Sequence, residues 1–183
     1  MIILIHQNAQ QVVKVLKGET EIKISDTLCT KNFWELAEKY PDEMIYWCEE
    51  EFFQYLDLEA IHEIFPHDLI MASYALKHSC LPEHIGYIDQ NPYINVNLKV
   101  RYGTWRMSTD AGGIKGKTLL KFRDNFGQIK DFGFLLNSVA KLGQHNGLFC
   151  YSDPHFFQAK LKKKYTPEPV AGIPGLFSFV YMH

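Results

Sequence analysis

Short apolar runs separated by polar turns predict strands at the start of the chain. Ile2 to Ile5 is long enough for a buried strand, and the polar residues His6-Gln7-Asn8 end it. Val12 to Leu16 and Thr20 to Ile24 are rich in β-branched residues and flank the turn Lys17-Gly18-Glu19. This arrangement predicts a β-hairpin directly after the first strand.

A helix and a second buried strand are predicted next. Apolar residues at the spacing of one helix face indicate a helix that Pro41 ends; these residues are Phe33, Trp34, Leu36 and Ala37. The run from Met44 to Cys48 is apolar throughout, which is typical of a central strand buried on both faces. It leads directly into the acidic run Glu49-Glu50-Glu51.

The middle of the chain has a weaker pattern. Leu56 to Phe65 and Leu69 to Lys77 predict two short helices separated by Pro66. Ile85 to Asp89 and Tyr93 to Val96 predict two strands.

The second half begins with a predicted glycine-bearing loop, Ser108 to Gly116, followed by a helix around Lys117 to Arg123. Asp131 then begins an amphipathic helix that Gly143 closes, and Leu148 to Tyr151 predicts a last strand. Since strands alternate with helices along the chain, we expect an α/β domain with a central mixed sheet flanked by helices.

Composition narrows the classes of protein. The 183 residues suffice for one domain with a proper core, and 46% of them are hydrophobic. A net charge of -2 and a pI of about 6.4 provide no basic field that would attract nucleic acid. No apolar run reaches the roughly 20 residues needed to cross a bilayer, and no secretory signal is visible. We divide the chain into an α/β domain, residues 1–160, and a basic, Pro/Gly-rich tail, residues 161–183.

Cysteine spacing and the tail bear on location and partners. The cysteines lie far apart with no CxxC pair, which indicates reduced thiols and a cytoplasmic protein; they are Cys29, Cys48, Cys80 and Cys150. Lys160 to Lys164 indicates either a solvated face or a contact with an anionic membrane surface. The apolar segment Leu176 to Tyr181 leaves packing against another chain open, and with it the oligomeric state.

Asp131 has two interpretations. Asp is favoured as an N-cap because its side chain accepts hydrogen bonds from free backbone N–H groups at the start of a helix. A carboxylate in a cleft can also take the proton from a hydroxyl as that oxygen attacks. The two roles are compatible.

Two further segments carry candidate chemistry. Ser108 to Gly116 fails the Walker spacing, so it indicates either a tight turn or a loop whose backbone approaches a phosphate or a sugar. Glu49 to Glu51 follows a buried strand, where an α/β sheet places its ligands. These carboxylates predict either a divalent metal with a diphosphate or a solvated helix start.

The order of these parts resembles a small family 2 glycosyltransferase of the GT-A type. Ile2 to Asn8 is similar to the opening strand and its polar loop, and Met44 to Glu51 to the acid-tipped strand. Ala111 to Leu120 resembles the acceptor-loop segment, and Asp131 to Tyr151 the helix of the catalytic base and its following strand. The segments YGTWRMSTDAGGI and LLNSVAKLGQHNGLFCYS look like a bacterial group found near surface-polysaccharide functions.

The resemblance implies transfer of a sugar from a nucleotide-diphosphate donor to a hydroxyl of a glycan acceptor. Asp131 is implied as the base, and Glu49 and Glu51 stand where the family's metal-binding DxD would hold Mg²⁺ or Mn²⁺. The implied substrate-binding residues are Asn8, Asp26, Trp105, Ser108, Asp110, Gly112 and Gly113. Because the chain has EEE in place of DxD, the alternative is a degenerate, noncatalytic module of this fold that binds a glycan or a nucleotide.

Overall fold

The computed structural model describes residues 1–76 and 100–158. Within these ranges the chain forms one mixed sheet of eight strands flanked by helices. The strands are β1 Ile2–Gln7, β2 Gln11–Lys17, β3 Thr20–Ile22, β4 Met44–Glu49, β5 Ile70–Tyr74, β6 Tyr102–Gly103, β7 Ala111–Lys115 and β8 Phe149–Ser152.

Helical segments connect most of these strands. The helices are α1 Cys29–Lys39, α2 Ile61–Ile64, α3 Gly116–Leu120, α4 Arg123–Phe126 and α5 Phe132–His145. Two 3₁₀ segments, Glu50–Tyr55 and Pro154–Phe156, follow β4 and β8.

The strands lie in the order β3-β2-β1-β4-β7-β5-β8-β6. β1 pairs parallel with β4, and β5 pairs parallel with β8. β7 runs antiparallel to both β4 and β5, between which it lies. The carboxyl ends of β1, β4, β5 and β8 therefore meet the amino end of β7 at one edge of the sheet, here called the carboxyl edge.

Successive side chains of the central strands point to opposite faces of the sheet and pack into two separate hydrophobic cores. Ile2 and Leu4 of β1 pack with Trp47 of β4 beneath α1 and α5. Ile3 and Tyr46 belong to the core on the opposite face, which α2 and the two 3₁₀ segments cover. Burial on both faces explains why β1 and β4 are apolar runs without alternation.

The sequence prediction of a mixed α/β sheet with flanking helices is confirmed. The first strand, the hairpin, the first helix, the strand MIYWC, the Asp-headed helix and the last strand all form within a few residues of their expected bounds. The expected hairpin turn has Gly18 at a φ of 59°, a left-handed conformation that glycine adopts without steric cost.

Of the two short helices predicted in the middle of the chain, the second is wrong and the first forms only in part. Leu69 to Lys77 contains the strand β5, which lies between β7 and β8 and is buried along its whole length. An apolar run buried on both faces has no periodicity to separate a strand from a helix. Leu56 to Phe65 forms only the short helix α2.

The predicted glycine loop is also wrong, because Gly112 and Gly113 lie inside the central strand β7. A Cβ on Gly112 would lie 2.0 Å from Cζ2 of Trp47, and one on Gly113 would lie 2.7 Å from Cδ1 of Tyr46. These positions lack side chains because aromatic rings of β4 cross β7 on both faces. Their proposed contact with a substrate therefore has no support in the fold.

The end of α5 differs from the prediction as well. The helix continues past Gly143 to His145, and Gly143 lies against Leu148. The residue with a left-handed φ, 82°, is Gly147. The strands predicted at Ile85 to Asp89 and Tyr93 to Val96, Cys80 and the tail 161–183 lie outside the described residues.

Candidate functional site

The carboxyl edge between β1 and β4 is where the chain changes direction in the sheet. From β1 the chain turns to β2 on one side, and after β3 it returns through α1 to β4 on the other side. In open α/β sheets such a switch point forms the crevice that binds ligands. The turn that follows β1 is tight, because Asn8 and Ala9 have left-handed φ angles of 49° and 56°.

A pocket of about 210 Å³ lies at this switch point, lined by Gln7, Asn8, Glu49, Glu50 and Glu51. Pockets for whole small-molecule ligands are usually about 300–1,000 Å³. The space is therefore large enough for part of a ligand, such as a sugar ring or a phosphate group.

A row of buried titratable side chains crosses the sheet beside this pocket. His6 of β1 is paired with Glu49 of β4, whose backbone N–H donates to the carbonyl of Asp110 at 2.9 Å. This register places all three side chains on the face covered by α1 and α5. Burial, with the charges of Asp110 and Glu49 added, raises the pKa of the Cys48 thiol well above its usual value.

His6 is held as a neutral structural group. The backbone N–H of Ala9 donates to its Nδ1 at 3.1 Å, so the ring proton lies on Nε2, which donates to the carbonyl of Thr109 at 2.8 Å. Burial lowers the pKa of His6 from 6.5 to about 4, although the hydrogen bond to Thr109 opposes this shift. With both nitrogens occupied, His6 fixes the β1 turn to the segment that precedes β7.

That segment, Trp105–Thr109, runs along α5 towards the start of the helix. Nζ of Lys141 lies 5.7 Å from the ring centroid of Trp105. One turn earlier, Asn137 accepts from the N–H of Met107 at 2.9 Å and donates to its carbonyl at 3.2 Å. One further turn earlier, Gly133 lies beside Thr109. The segment thus advances two residues for each helical turn.

Ser108 anchors this segment to the sheet. Its N–H donates to Oγ of Ser73 at 2.9 Å, and its carbonyl accepts from Nε1 of Trp47 at 3.0 Å. Its hydroxyl accepts from the N–H of Asp110 at 3.1 Å. Ser108 is buried, so it positions the carboxyl edge from within.

Asp131 is the N-cap of α5, as the sequence predicts. Its Oδ1 accepts from the N–H of Phe134 at 2.6 Å, and its side chain is exposed. The start of α5 lies beside Thr109, the residue before Asp110, so Asp131 belongs to the carboxyl edge. It is not among the residues that line the pocket of about 210 Å³.

The remaining predicted residues are spread along the same edge. Asn8 lines the pocket, and Trp105 is partly exposed above α5. The carboxylate of Asp26 caps the turn before α1 by accepting from the N–H of Leu28 at 2.8 Å. Lys31, which donates to it at 2.7 Å, lowers the pKa of Asp26.

The pocket has the chemistry of a hard-cation site but an incomplete set of ligands. Carboxylate and amide oxygens are the groups that Mg²⁺ and Mn²⁺ prefer. Within residues 1–76 and 100–158, however, no group of three or more His, Cys, Asp or Glu side chains is placed to hold a metal ion. The described residues alone do not fit the metal that the resemblance implies.

Comparison of the chain with protein-family models, with curated proteins and with solved structures gave no match. In the described part of the chain, every helix is too short or too polar to cross a membrane.

Sequence reasoning missed several groups at this edge. His6, Ser73 and Asn137 organise the segment before β7, yet each is a single polar residue in an otherwise unremarkable stretch. A fourth group, the pair Asp153 and His155, lies at the end of β8. The spacing D-P-H was the only signal of that pair.

Proposed function

We propose that the protein is a glycosyltransferase of GT-A-like architecture. It transfers a sugar from a nucleotide-diphosphate donor to a hydroxyl of a glycan acceptor in bacterial surface-glycan synthesis. The observation that carries the proposal is the carboxyl edge, where Asn8 and Glu49 to Glu51 line the pocket between β1 and β4 and the Asp131 end of α5 lies further along, beside Thr109.

The order of elements supports this assignment. An opening strand ends in an Asn-containing turn, a parallel strand ends in acids, and an Asp-capped helix leads into the last parallel strand. These are the parts on which the sequence resemblance rests. The unpaired, buried thiols of Cys29, Cys48 and Cys150 support a cytoplasmic location, which is part of the proposal.

Asp131 is the proposed base. The N–H of Phe134 holds Oδ1, which fixes the carboxylate while Oδ2 accepts the proton of the acceptor hydroxyl. The acceptor oxygen then bonds to the anomeric carbon of the donor. The bond from that carbon to the diphosphate breaks, and its electron pair leaves on the diphosphate oxygen.

The acidic pocket sets a condition on donor binding. Like charges a few ångströms apart repel, so the carboxylates of Glu49 to Glu51 oppose a diphosphate unless a cation lies between them. Because these carboxylates do not by themselves hold a metal ion, we expect the diphosphate oxygens to complete the site, so that donor binding requires Mg²⁺ or Mn²⁺. Glu51→Gln, at an exposed position, removes one negative charge from the pocket and should weaken the cation-dependent binding of the donor.

Calorimetry with UDP and GDP, each with and without Mn²⁺, tests the binding step. A panel of UDP- and GDP-sugars, with release of UDP or GDP as the readout, tests the chemistry. We expect cation-dependent binding, and release that Asp131→Asn abolishes. Silence of the wild-type protein in both assays would contradict the proposal.

The rival function is a noncatalytic module that binds a glycan or a nucleotide. The observation in its favour is the incomplete metal site among the described residues. Binding of UDP or GDP without release from any sugar nucleotide would establish this rival.

A further inference from the structure

Two exposed aromatic side chains lie along the outer face of α5. Phe134, in the first turn of the helix, is 63% exposed, and Trp105, on the segment beside the helix, is 37% exposed. Phe134 and Lys141 are close to two helical turns apart, so they lie on the same side of α5, about 10.5 Å from each other along its axis. Nζ of Lys141 lies 5.7 Å from the ring centroid of Trp105. The two rings therefore belong to one surface, here called the α5 surface.

Trp105 is presented by a turn that is fixed on both sides. On one side, the buried Thr104 donates its N–H to a carbonyl of β8 at 3.0 Å, and its Oγ1 accepts from the N–H of Arg106 at 3.1 Å. On the other side, the side chain of Asn137 bonds both backbone groups of Met107. A side chain on a fixed backbone loses less conformational entropy when a ligand packs against it. The exposure of Trp105 is thus built into the fold.

The charge around Trp105 is positive. The guanidinium carbon of Arg106 lies 5.3 Å from the centroid of its ring, to which Lys141 is also close. The electrons of an aromatic ring attract such cations without neutralising them. In the described part of the chain, Lys141 has no carboxylate partner. The α5 surface therefore combines aromatic area with positive charge, in contrast to the acidic pocket between β1 and β4.

These features fit an extended carbohydrate that carries carboxylates. One face of a sugar ring presents C–H groups, which pack against the negative face of an aromatic ring. The carboxylates of acidic sugars pair with Lys and Arg side chains. Nucleic acid bases stack on aromatic rings as well, but nucleic acid needs a continuous basic groove. A chain with 19 Lys and Arg against 21 Asp and Glu, and with an acidic pocket at this edge, opposes that ligand.

We propose that the α5 surface binds an acidic polysaccharide, with sugar rings against the two aromatic side chains and carboxylates at Lys141 and Arg106. The inference rests on the proposed function for the role of this ligand, which is that of the glycan acceptor. The N–H of Phe134 bonds the carboxylate of Asp131, so a chain that lies along the α5 surface ends at the proposed base.

Two acidic probes test the binding. Hyaluronan oligosaccharides carry a carboxylate on every second ring, and oligogalacturonate carries one on every ring. Each probe is compared with its methyl ester, which keeps the rings and removes the charge. Because Trp34 and Trp47 are only 2% and 0% exposed, quenching of tryptophan fluorescence by acrylamide reports mainly on Trp105. A bound acidic chain should protect Trp105 from the quencher.

Two variants and two matched controls locate the binding. Trp105→Ala removes the exposed ring, and Lys141→Gln removes the charge. The controls are Phe149→Ala, at a 56% exposed ring, and Lys121→Gln, at an exposed lysine, both at the opposite edge of the sheet. In calorimetry we expect the affinity for the acidic probes to fall about tenfold in Trp105→Ala and about threefold in Lys141→Gln, and to stay unchanged in the controls. High salt should reduce the difference between Lys141→Gln and the wild type, because it screens exposed charges.

Several results would overturn the inference. Equal affinity for the acids and their esters would refute the acidic class of ligand. Wild-type affinity in Trp105→Ala, or no binding of either acid, would refute the α5 surface as the site. Tighter binding of single-stranded DNA or of anionic lipid vesicles at the same ionic strength would refute the carbohydrate.

The release of UDP or GDP from sugar nucleotides tests the proposed function separately. A wild type that binds the acids but releases neither nucleotide from any donor would retain the binding surface and overturn both the proposed function and the acceptor role. A wild type that releases UDP or GDP but binds neither acid would overturn the α5 surface alone.

Discussion

Replacing Gly112 by alanine tests the link between the sheet and the carboxyl edge. The added methyl group would lie 2.0 Å from Cζ2 of Trp47 and 2.8 Å from the carbonyl oxygen of Ala72. The oxygen belongs to the backbone of a neighbouring strand, so Trp47 must move. Trp47 is fully buried against Phe33 and Phe132, which leaves it no room to do so.

The cost has two parts. Overpacking a core costs about 1–3 kcal/mol, and moving Trp47 breaks the 3.0 Å bond from its Nε1 to Ser108, which costs about another 1–3 kcal/mol for a buried donor. The lower entropy of the unfolded alanine chain returns about 0.4–1 kcal/mol. We expect a net loss of about 3 kcal/mol, a large share of the roughly 5–15 kcal/mol typical of a domain.

Urea unfolding of the purified protein measures this loss. In a domain of this size each 1 kcal/mol lowers Tm by about 2–4 °C, so a thermal melt should shift by about 6–12 °C. Gly103→Ala is the matched control, since a Cβ there would lie 3.9 Å from its nearest neighbour, the carbonyl oxygen of Cys150. If Gly112→Ala is as stable as Gly103→Ala, the packing of Trp47 across β7 is wrong.

Three further predictions concern the carboxyl edge. Because the pKa of His6 is about 4 when folded and 6.5 when unfolded, only the unfolded chain gains this proton as the pH falls from 6.5 to 4. The contribution of His6 to stability is therefore complete above pH 6.5, and about 3 kcal/mol of the free energy of unfolding should be lost by pH 4. Urea unfolding at a series of pH values measures this loss. If the free energy of unfolding of His6→Gln falls as steeply with pH as that of the wild type, His6 is not the group responsible. Asn137→Ala removes the two bonds to Met107 and one to the carbonyl of Gly133, and should cost about 2 kcal/mol in urea unfolding, whereas Ser138→Ala should cost far less. Asp131→Asn should retain the cap and the stability of the wild type, whereas Asp131→Ala should lose about 1 kcal/mol in thermal melts; equal losses would show that the cap is not what Asp131 provides.

The parts of the fold that the sequence predicted are those with strong local signals. The hairpin has β-branched residues around Gly18, α1 ends at Lys39, two residues before Pro41, and α5 begins at an Asp N-cap. Each signal acts over a few residues, so it is present in the sequence regardless of what packs against it.

The errors arose where tertiary packing determines the structure. Gly112 and Gly113 suggest a turn in the sequence, but they lie in a central strand because Trp47 and Tyr46 fill the space above and below them. That requirement comes from a strand more than sixty residues earlier in the sequence. The buried strand β5 was likewise predicted as a helix because an apolar run of its length suits both.

The sequence predicted the part of the candidate site that has local signals and missed the part that depends on contacts between distant segments. Asn8, Glu49 to Glu51 and Asp131 follow from the rule that strand ends and helix starts carry polar ligands, and the fold places them along one edge. The roles of His6, Ser73 and Asp153 depend on hydrogen bonds between distant segments, and no local pattern encodes such bonds.

The central claim is that the carboxyl edge between β1 and β4 binds a nucleotide diphosphate. Amide NMR spectra of the wild-type protein, recorded during titration with UDP and with GDP in the presence of Mg²⁺, test it most directly. The account predicts shifts at Asn8, Glu49 to Glu51 and Thr109. A response confined to the pocket at the opposite edge, around Thr118, Lys121 and Asn146, or no response at all, would contradict it.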